Sequence, residues 1–186
     1  MNPLAVTISI LAVALDRVGI SYAIGGSVAS SVRGIVRATF DVDIVARITL
    51  PQTDQLAAAL GPEWYADPLQ MRESISTGRA FNLIHIPSGQ KIDVFPATEE
   101  FHLSQLSRAT KVAIPFLADS TEYPVASTED ILLAKLRWYR MGGEVSERQW
   151  NDITGLVSIN AEMDMRYLRM WALRLRVEDL LAKALS

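Results

Sequence analysis

Between Ile24 and Val45 the chain reads IGGSVASSVRGIVRATFDVDIV. A short apolar run ends in Gly25-Gly26-Ser27. Further on, Asp41 and Asp43 alternate with Val42 and Ile44. Such alternation predicts a half-buried strand. Residues i and i+2 of a strand share one face, so both carboxylates point the same way. Two like charges held that close repel each other unless a cation lies between them. A divalent metal ion suits such hard oxygen ligands. A glycine-rich turn that opens a helix is in turn a place for phosphate oxygens. The segment is thereby confined to strand, tight turn, helix and strand, and it points to a metal–nucleotide site.

The rest of the chain arranges itself around that segment. Residues 3–18 read as an apolar helix with Gly19 near its C-terminal end. Residues 21–24 form a short strand. Ser27 is predicted to cap a helix running to about Arg33, with Gly34 as its stop. The Asp-bearing strand spans 41–46. Pro51 stands at the start of a helix that ends at Gly61-Pro62. Residues 62–79 read as irregular, with a short strand. Strands over 81–86 and 91–95 flank a hairpin turn at 87–90. A short helix follows near 99–106, then strands over 112–116 and 123–125. Ser127-Thr128-Glu129-Asp130 resembles a capping box and opens a helix to about Arg140, closed by Gly142-Gly143. Helices near 146–158, 163–174 and 176–184 complete the chain. The layout predicts an α/β core over residues 1–125 and a helical region over 126–186 packed on it, with a cleft between sheet and helices.

Composition narrows the classes. A chain of 186 residues fits one domain with a small helical extension. It has no cysteine, which excludes disulfides and thiolate metal sites and fits a reducing, cytoplasmic setting. A net charge of −3 argues against a broad basic surface for nucleic acid. The apolar run over 4–15 has no Lys or Arg before it and no small-x-small cleavage site after it, and it is too short to span a bilayer. It reads as a buried helix, and no membrane partner is expected.

Asp93 is the third acid of interest. It lies on the polar face of the alternating run Lys91-Ile92-Asp93-Val94-Phe95. If that run pairs beside the Asp41/Asp43 strand, three carboxylates converge. This suits a phosphoryl-transfer site in which two ions about 3.5–4 Å apart clamp the attacking and leaving oxygens. The bland alternative is an edge-strand acid paired with Lys91. Gly26 and Ser27 can hold terminal phosphate oxygens. Arg33 and Arg37 can neutralise triphosphate charge, and Thr39 can orient the loop before Asp41. Lys135 follows a mostly apolar stretch of its helix, where an ammonium can meet phosphate, and Asp152 is placed to align Lys135 or Arg137. His85 and His102 lack any ligand spacing. The four Trp read as core or interface residues rather than a stacking platform.

Together these residues resemble the polymerase-β-type nucleotidyltransferase superfamily, and more narrowly its compact AbiEii-like group, the toxin halves of toxin–antitoxin pairs. The resemblance rests on Gly26-Ser27, on Arg37-x-Thr39-x-Asp41-x-Asp43, on Asp93, on Lys135 and on Asp152. It implies an α/β (α+β) fold: a mixed sheet flanked by helices, with a C-terminal helical bundle. It implies transfer of a nucleoside monophosphate from a nucleoside triphosphate to a hydroxyl acceptor, dependent on Mg²⁺ (or Mn²⁺), with release of pyrophosphate. Asp41, Asp43 and Asp93 would hold the metals, with Asp93 also serving the acceptor. Gly26, Ser27, Arg37 and Lys135 would hold the triphosphate, and Asp152 would support them. An antitoxin is the implied partner. The acceptor is open among a tRNA end, a protein and a small molecule. The competing readings are a non-catalytic nucleotide- or partner-binding module on the same fold, and a kinase-like enzyme. The latter lacks any G-x-x-x-x-G-K-[ST] loop.

Overall fold

The computed structural model describes residues 3–33, 42–114 and 121–186. Helix α1 (Pro3–Val18) buries Leu4, Ile8, Leu11 and Leu15, one stripe at helical spacing. Strand β1 (Ser21–Ile24) leads into α2 (Gly26–Val32), and β2 (Val42–Arg47) carries Asp43. Helix α3 (Leu50–Leu60) opens with a Thr49/Gln52 capping box. Then come β3 (Trp64–Tyr65), α4 (Pro68–Thr77), β4 (Phe81–His85), β5 (Gln90–Pro96), α5 (Glu100–Arg108), β6 (Thr110–Ala113) and β7 (Glu122–Val125). Four helices close the chain: α6 (Thr128–Met141), α7 (Glu147–Ile159), α8 (Met165–Leu175) and α9 (Glu178–Leu185).

The seven strands form one mixed sheet in the order β3-β4-β5-β2-β1-β7-β6. β2 runs parallel to β5 and antiparallel to β1. Period-2 alternation sorts the two central strands cleanly. Val42, Ile44 and Ala46 of β2 and Ile92 and Val94 of β5 are buried in the core. Asp43, Val45, Asp93 and Phe95 point to the other face, where α5 and α6 form a second wall. α1 packs on α3, and α3 on α4. Among the described residues, no helix is long and apolar enough to cross a membrane.

Three expectations shift. The stretch expected to be irregular holds α4, whose cap Asp67 accepts a hydrogen bond from the Leu69 amide at 2.9 Å and whose end is set by left-handed Gly78. Its apolar stripe is too thin to show, with Met71 the one buried hydrophobic residue. The helix after β1 starts at Gly26, so Ser27 is its second residue and Gly25 occupies the cap. The strand expected over 112–116 is β6, displaced toward the N-terminus; Phe116 falls outside the described residues.

Candidate active site

Parallel pairing of β2 with β5 sets Asp43 directly beside Asp93, on the face opposite the core. Neighbouring strands lie about 4.8 Å apart, so the two carboxylates are held as near neighbours by the sheet itself. Asp41, Arg37 and Thr39 lie outside the described residues.

Gly26 explains how Asp43 finds room. Its φ is +56°, the left-handed region that side chains resist. A Cβ built there would overlap the Asp43 carboxylate and stand 2.7 Å from Cγ. The Gly25 amide donates to the Asp43 carbonyl at 2.8 Å. The Gly-Gly turn is thus clasped to the Asp strand through both backbone and side chain.

Asp93 has two side-chain partners. The Asn82 amide donates to one carboxylate oxygen, and the Lys91 ammonium donates to the other at 2.8 Å. Asn82 faces Asp93 across the antiparallel β4/β5 pair, a contact that depends on register. The Lys91 pairing of the bland reading is present, yet β5 is an interior strand and not an edge. Each carboxylate oxygen has two lone-pair sites, so acceptor capacity remains on Asp93.

Across the cleft, Lys135 donates to Asp152 at 3.2 Å, with both side chains less than one-fifth exposed. Arg137 pairs instead with Glu99 through two hydrogen bonds of 2.6 and 3.0 Å, which lower the Glu99 carboxyl below its usual range. The N-terminus of α6 is fixed by a buried network. Ser127 accepts from the Asp130 amide, and Tyr167 donates to the Asp130 carboxylate at 2.5 Å. Burial pushes the Asp130 carboxyl upward, opposed by the Tyr167 hydroxyl, by the Ser127 hydroxyl that donates to the carboxylate at 2.8 Å, and by Arg108. This network anchors the helix that presents Lys135.

Ser27, Asp43, Asp93, Lys135 and Asp152 line one cavity of about 450 Å³, with Arg148 at its wall. A second cavity, of about 340 Å³, opens from the same floor at Gly26, Asp43, Phe95, Lys135 and Trp138. Arg33 is elsewhere: its guanidinium donates to the Ala126 carbonyl and the Thr110 hydroxyl, tying α2 to β6 and to the β7–α6 junction. His85 belongs to a Thr7–His85–Ser88 cluster that joins α1 to the β4–β5 turn. Asn82, Arg148 and Trp138 are the residues that sequence reasoning missed. Trp138 is 49% exposed at the mouth of the cleft, whereas Trp64 and Trp171 are buried as expected.

No family model and no curated protein matches the sequence. Solved structures do match along nearly the whole chain. One is the antibiotic-resistance factor ANT(2'')-Ia studied in solution, at TM-score 0.57 and 15% identity, covering 97% of this chain and 95% of that one. ANT(2'')-Ia in complex with adenylyl-2''-tobramycin matches at TM-score 0.56 and 13% identity, covering 93% and 97%. An antigenic nucleotidyltransferase-like protein from Paracoccidioides brasiliensis matches at TM-score 0.54 and 21% identity, covering 100% and 93%. With its mixed seven-stranded sheet and flanking helices, the chain has the nucleotidyltransferase fold.

Proposed function

We propose that the protein is a metal-dependent nucleotidyltransferase that moves a nucleoside monophosphate from a nucleoside triphosphate to a hydroxyl acceptor. The observation that carries this reading is the in-register pairing of Asp43 with Asp93 on the cleft face, opposite Lys135. A binding module would have no need of two adjacent carboxylates set against a cation in one cleft.

The donor set fits Mg²⁺ or Mn²⁺, which prefer carboxylate oxygens. Asp43 rests in a cradle that any Cβ at Gly26 would fill, and Asp93 stands beside it. Among the described residues no group of three His, Cys, Asp or Glu could hold a metal; Asp41, two residues before Asp43 in the sequence, would complete the set. The metal, when bound, stabilises negative charge on the reacting phosphate oxygens.

The protein's own residues do the rest. Lys135, aligned by Asp152, and Ser27 hold the triphosphate, with Gly26 and Arg37 also contributing to its binding. The acceptor oxygen bonds to the α-phosphorus as the bond from that phosphorus to the β-bridging oxygen breaks. Pyrophosphate leaves with the electron pair. Asp93 accepts the acceptor proton, which requires hydrogen-bond reach and a free lone pair. The adenylyl-2''-tobramycin complex of ANT(2'')-Ia supports a small molecule as acceptor. The Arg37–Asp43 pattern supports a toxin role, for which growth arrest on expression is the check.

The deciding experiment incubates the protein with α-labelled triphosphates, Mg²⁺ and candidate acceptors, with Asp43→Ala in parallel. Label on an acceptor, lost in the variant, is expected. Binding without any pyrophosphate release would overturn the enzyme reading in favour of the module. In a parallel reaction with γ-labelled triphosphate, label reaching the acceptor when none arrives from the α-position would make it a kinase.

A further inference from the structure

The second cavity differs in character from the first. Its walls are the apolar faces of Phe95, Phe101, Ile131, Ala134, Trp138 and Met141. Phe95 meets Trp138 edge-on with ring centroids 5.8 Å apart, so the Trp138 ring is braced from behind while half exposed. Its charged lining holds three cations, Arg79, Lys135 and Arg137, and two acids, Asp43 and Glu99, of which Arg137 and Glu99 already satisfy each other. The His102 Nδ1 is buried and has no hydrogen-bond partner among the described residues. Burial, the largest cause, holds the His102 imidazole below its usual range and hence neutral at pH 7. An apolar slot with one braced aromatic face and an unmet neutral nitrogen suits a flat, uncharged ring. It does not suit a polycation.

The position of the slot says which ring. It reaches Asp43 and Lys135 but not Asp93, whereas the first cavity touches all three. On the transfer reading, on which this inference rests, Asp93 marks the acceptor side. A slot that joins the cleft at Asp43 while missing Asp93 therefore belongs to the donor. With the phosphates at Ser27 and Lys135, the part of the donor left to fill it is the base. We propose that the second cavity receives the nucleobase of the donor triphosphate, with Trp138 as its stacking face. Stacking on an aromatic ring tolerates every base, because each has a π-face. The pocket then supplies affinity for any nucleoside triphosphate, and discrimination among bases falls to the few polar groups such as His102.

The test is calorimetric titration of the protein with ATP, GTP, CTP and UTP, and with inorganic tripolyphosphate, which has the charge and no base. Trp138→Ala is expected to weaken nucleotide binding about tenfold, within the range that base–aromatic stacking spans, and to leave tripolyphosphate binding unchanged. Trp138→Phe should restore most of the affinity. Ala134→Phe, which fills the slot from α6, should reproduce the loss by an independent route. Nucleotide affinities within twofold of the parent in both Trp138→Ala and Ala134→Phe would overturn the proposal. So would an equal loss for tripolyphosphate, which would make Trp138 a support for the phosphate site. If nucleotide binding is unchanged and transfer falls at saturating nucleotide, the slot holds the acceptor and the proposal fails while the transfer reading stands. If the parent binds neither nucleotide nor tripolyphosphate, the transfer reading fails and takes the proposal with it.

Discussion

Gly26→Ala separates the backbone demand of the Gly-Gly turn from its role in seating Asp43. A left-handed conformation costs an L-residue roughly 1–2 kcal/mol. At Gly26 the new Cβ also meets the Asp43 carboxylate, with Cγ 2.7 Å away, so that side chain must swing off its rotamer. That adds about 0.5–1.5 kcal/mol. The sum is about 1.5–3.5 kcal/mol, or a Tm lower by roughly 3–14 °C for a chain of this size. Gly89→Ala is the control. Gly89 has φ +66° with no atom within 4 Å of the added Cβ, so it should lose only the backbone part. Transfer should respond more sharply than stability. A displacement of about 1 Å at a reacting group can cost ~100-fold in rate. We therefore expect Gly26→Ala to fold, to melt below Gly89→Ala in a thermal scan, and to lose about two orders of magnitude in transfer, with Gly89→Ala fully active. A Gly26→Ala protein with the Tm of Gly89→Ala and the parent's activity would refute the reasoning.

Three more outcomes follow from the cleft and its walls. Asp93→Asn should abolish transfer in the labelled-phosphate assay while leaving the nucleotide Kd within a few-fold of the parent. Lys135→Met should raise the Kd for tripolyphosphate and cost about 1–2 kcal/mol in urea unfolding, between the values for exposed and buried pairs; combined with Asp152→Asn, the loss should be less than additive. For His102, the folded pKa lies below the unfolded value near 6.5. Its neutral form therefore stabilises the fold above that value, and the contribution is lost as the pH falls through the folded pKa. Unfolding measured at pH 7.5 and 5.5 should show a smaller loss on acidification in His102→Gln than in the parent. Asp130, raised by burial, pulls the other way and is common to both proteins.

Much of this architecture can be read from local pattern. The alternation around Asp43 and Asp93 is simple because one face of each strand is core, and the start of α3 and the cap of α6 are written in Pro51 and Ser127/Asp130. What escapes the sequence is what only tertiary contact creates. Asn82 reaches Asp93 through the register of the β4/β5 hairpin, which no residue of β4 announces. α4 escapes because it shields one methionine rather than a stripe. The second cavity exists only where α5, α6 and the sheet meet, so Phe101 and His102 look like ordinary residues of a short amphipathic helix. Trp138 looks like core because its type usually is; its exposure depends on where α6 crosses the sheet.

The pairing of Val42 with Ile92 and Ile44 with Val94 flanks the Asp43–Asp93 pair on both sides. Sliding β5 by one residue against β2 would turn Asp93 into the core and expel Ile92 and Val94 to the cleft. Expelling those two side chains alone would forfeit about 3–6 kcal/mol of burial, a large share of the stability of a domain this size. The spacing of the two carboxylates is therefore guarded by aliphatic residues that never touch a ligand. Substitutions such as Ile92→Ala or Val94→Ala threaten the chemistry through strand alignment, and drift in the surrounding loops can proceed without disturbing the acids.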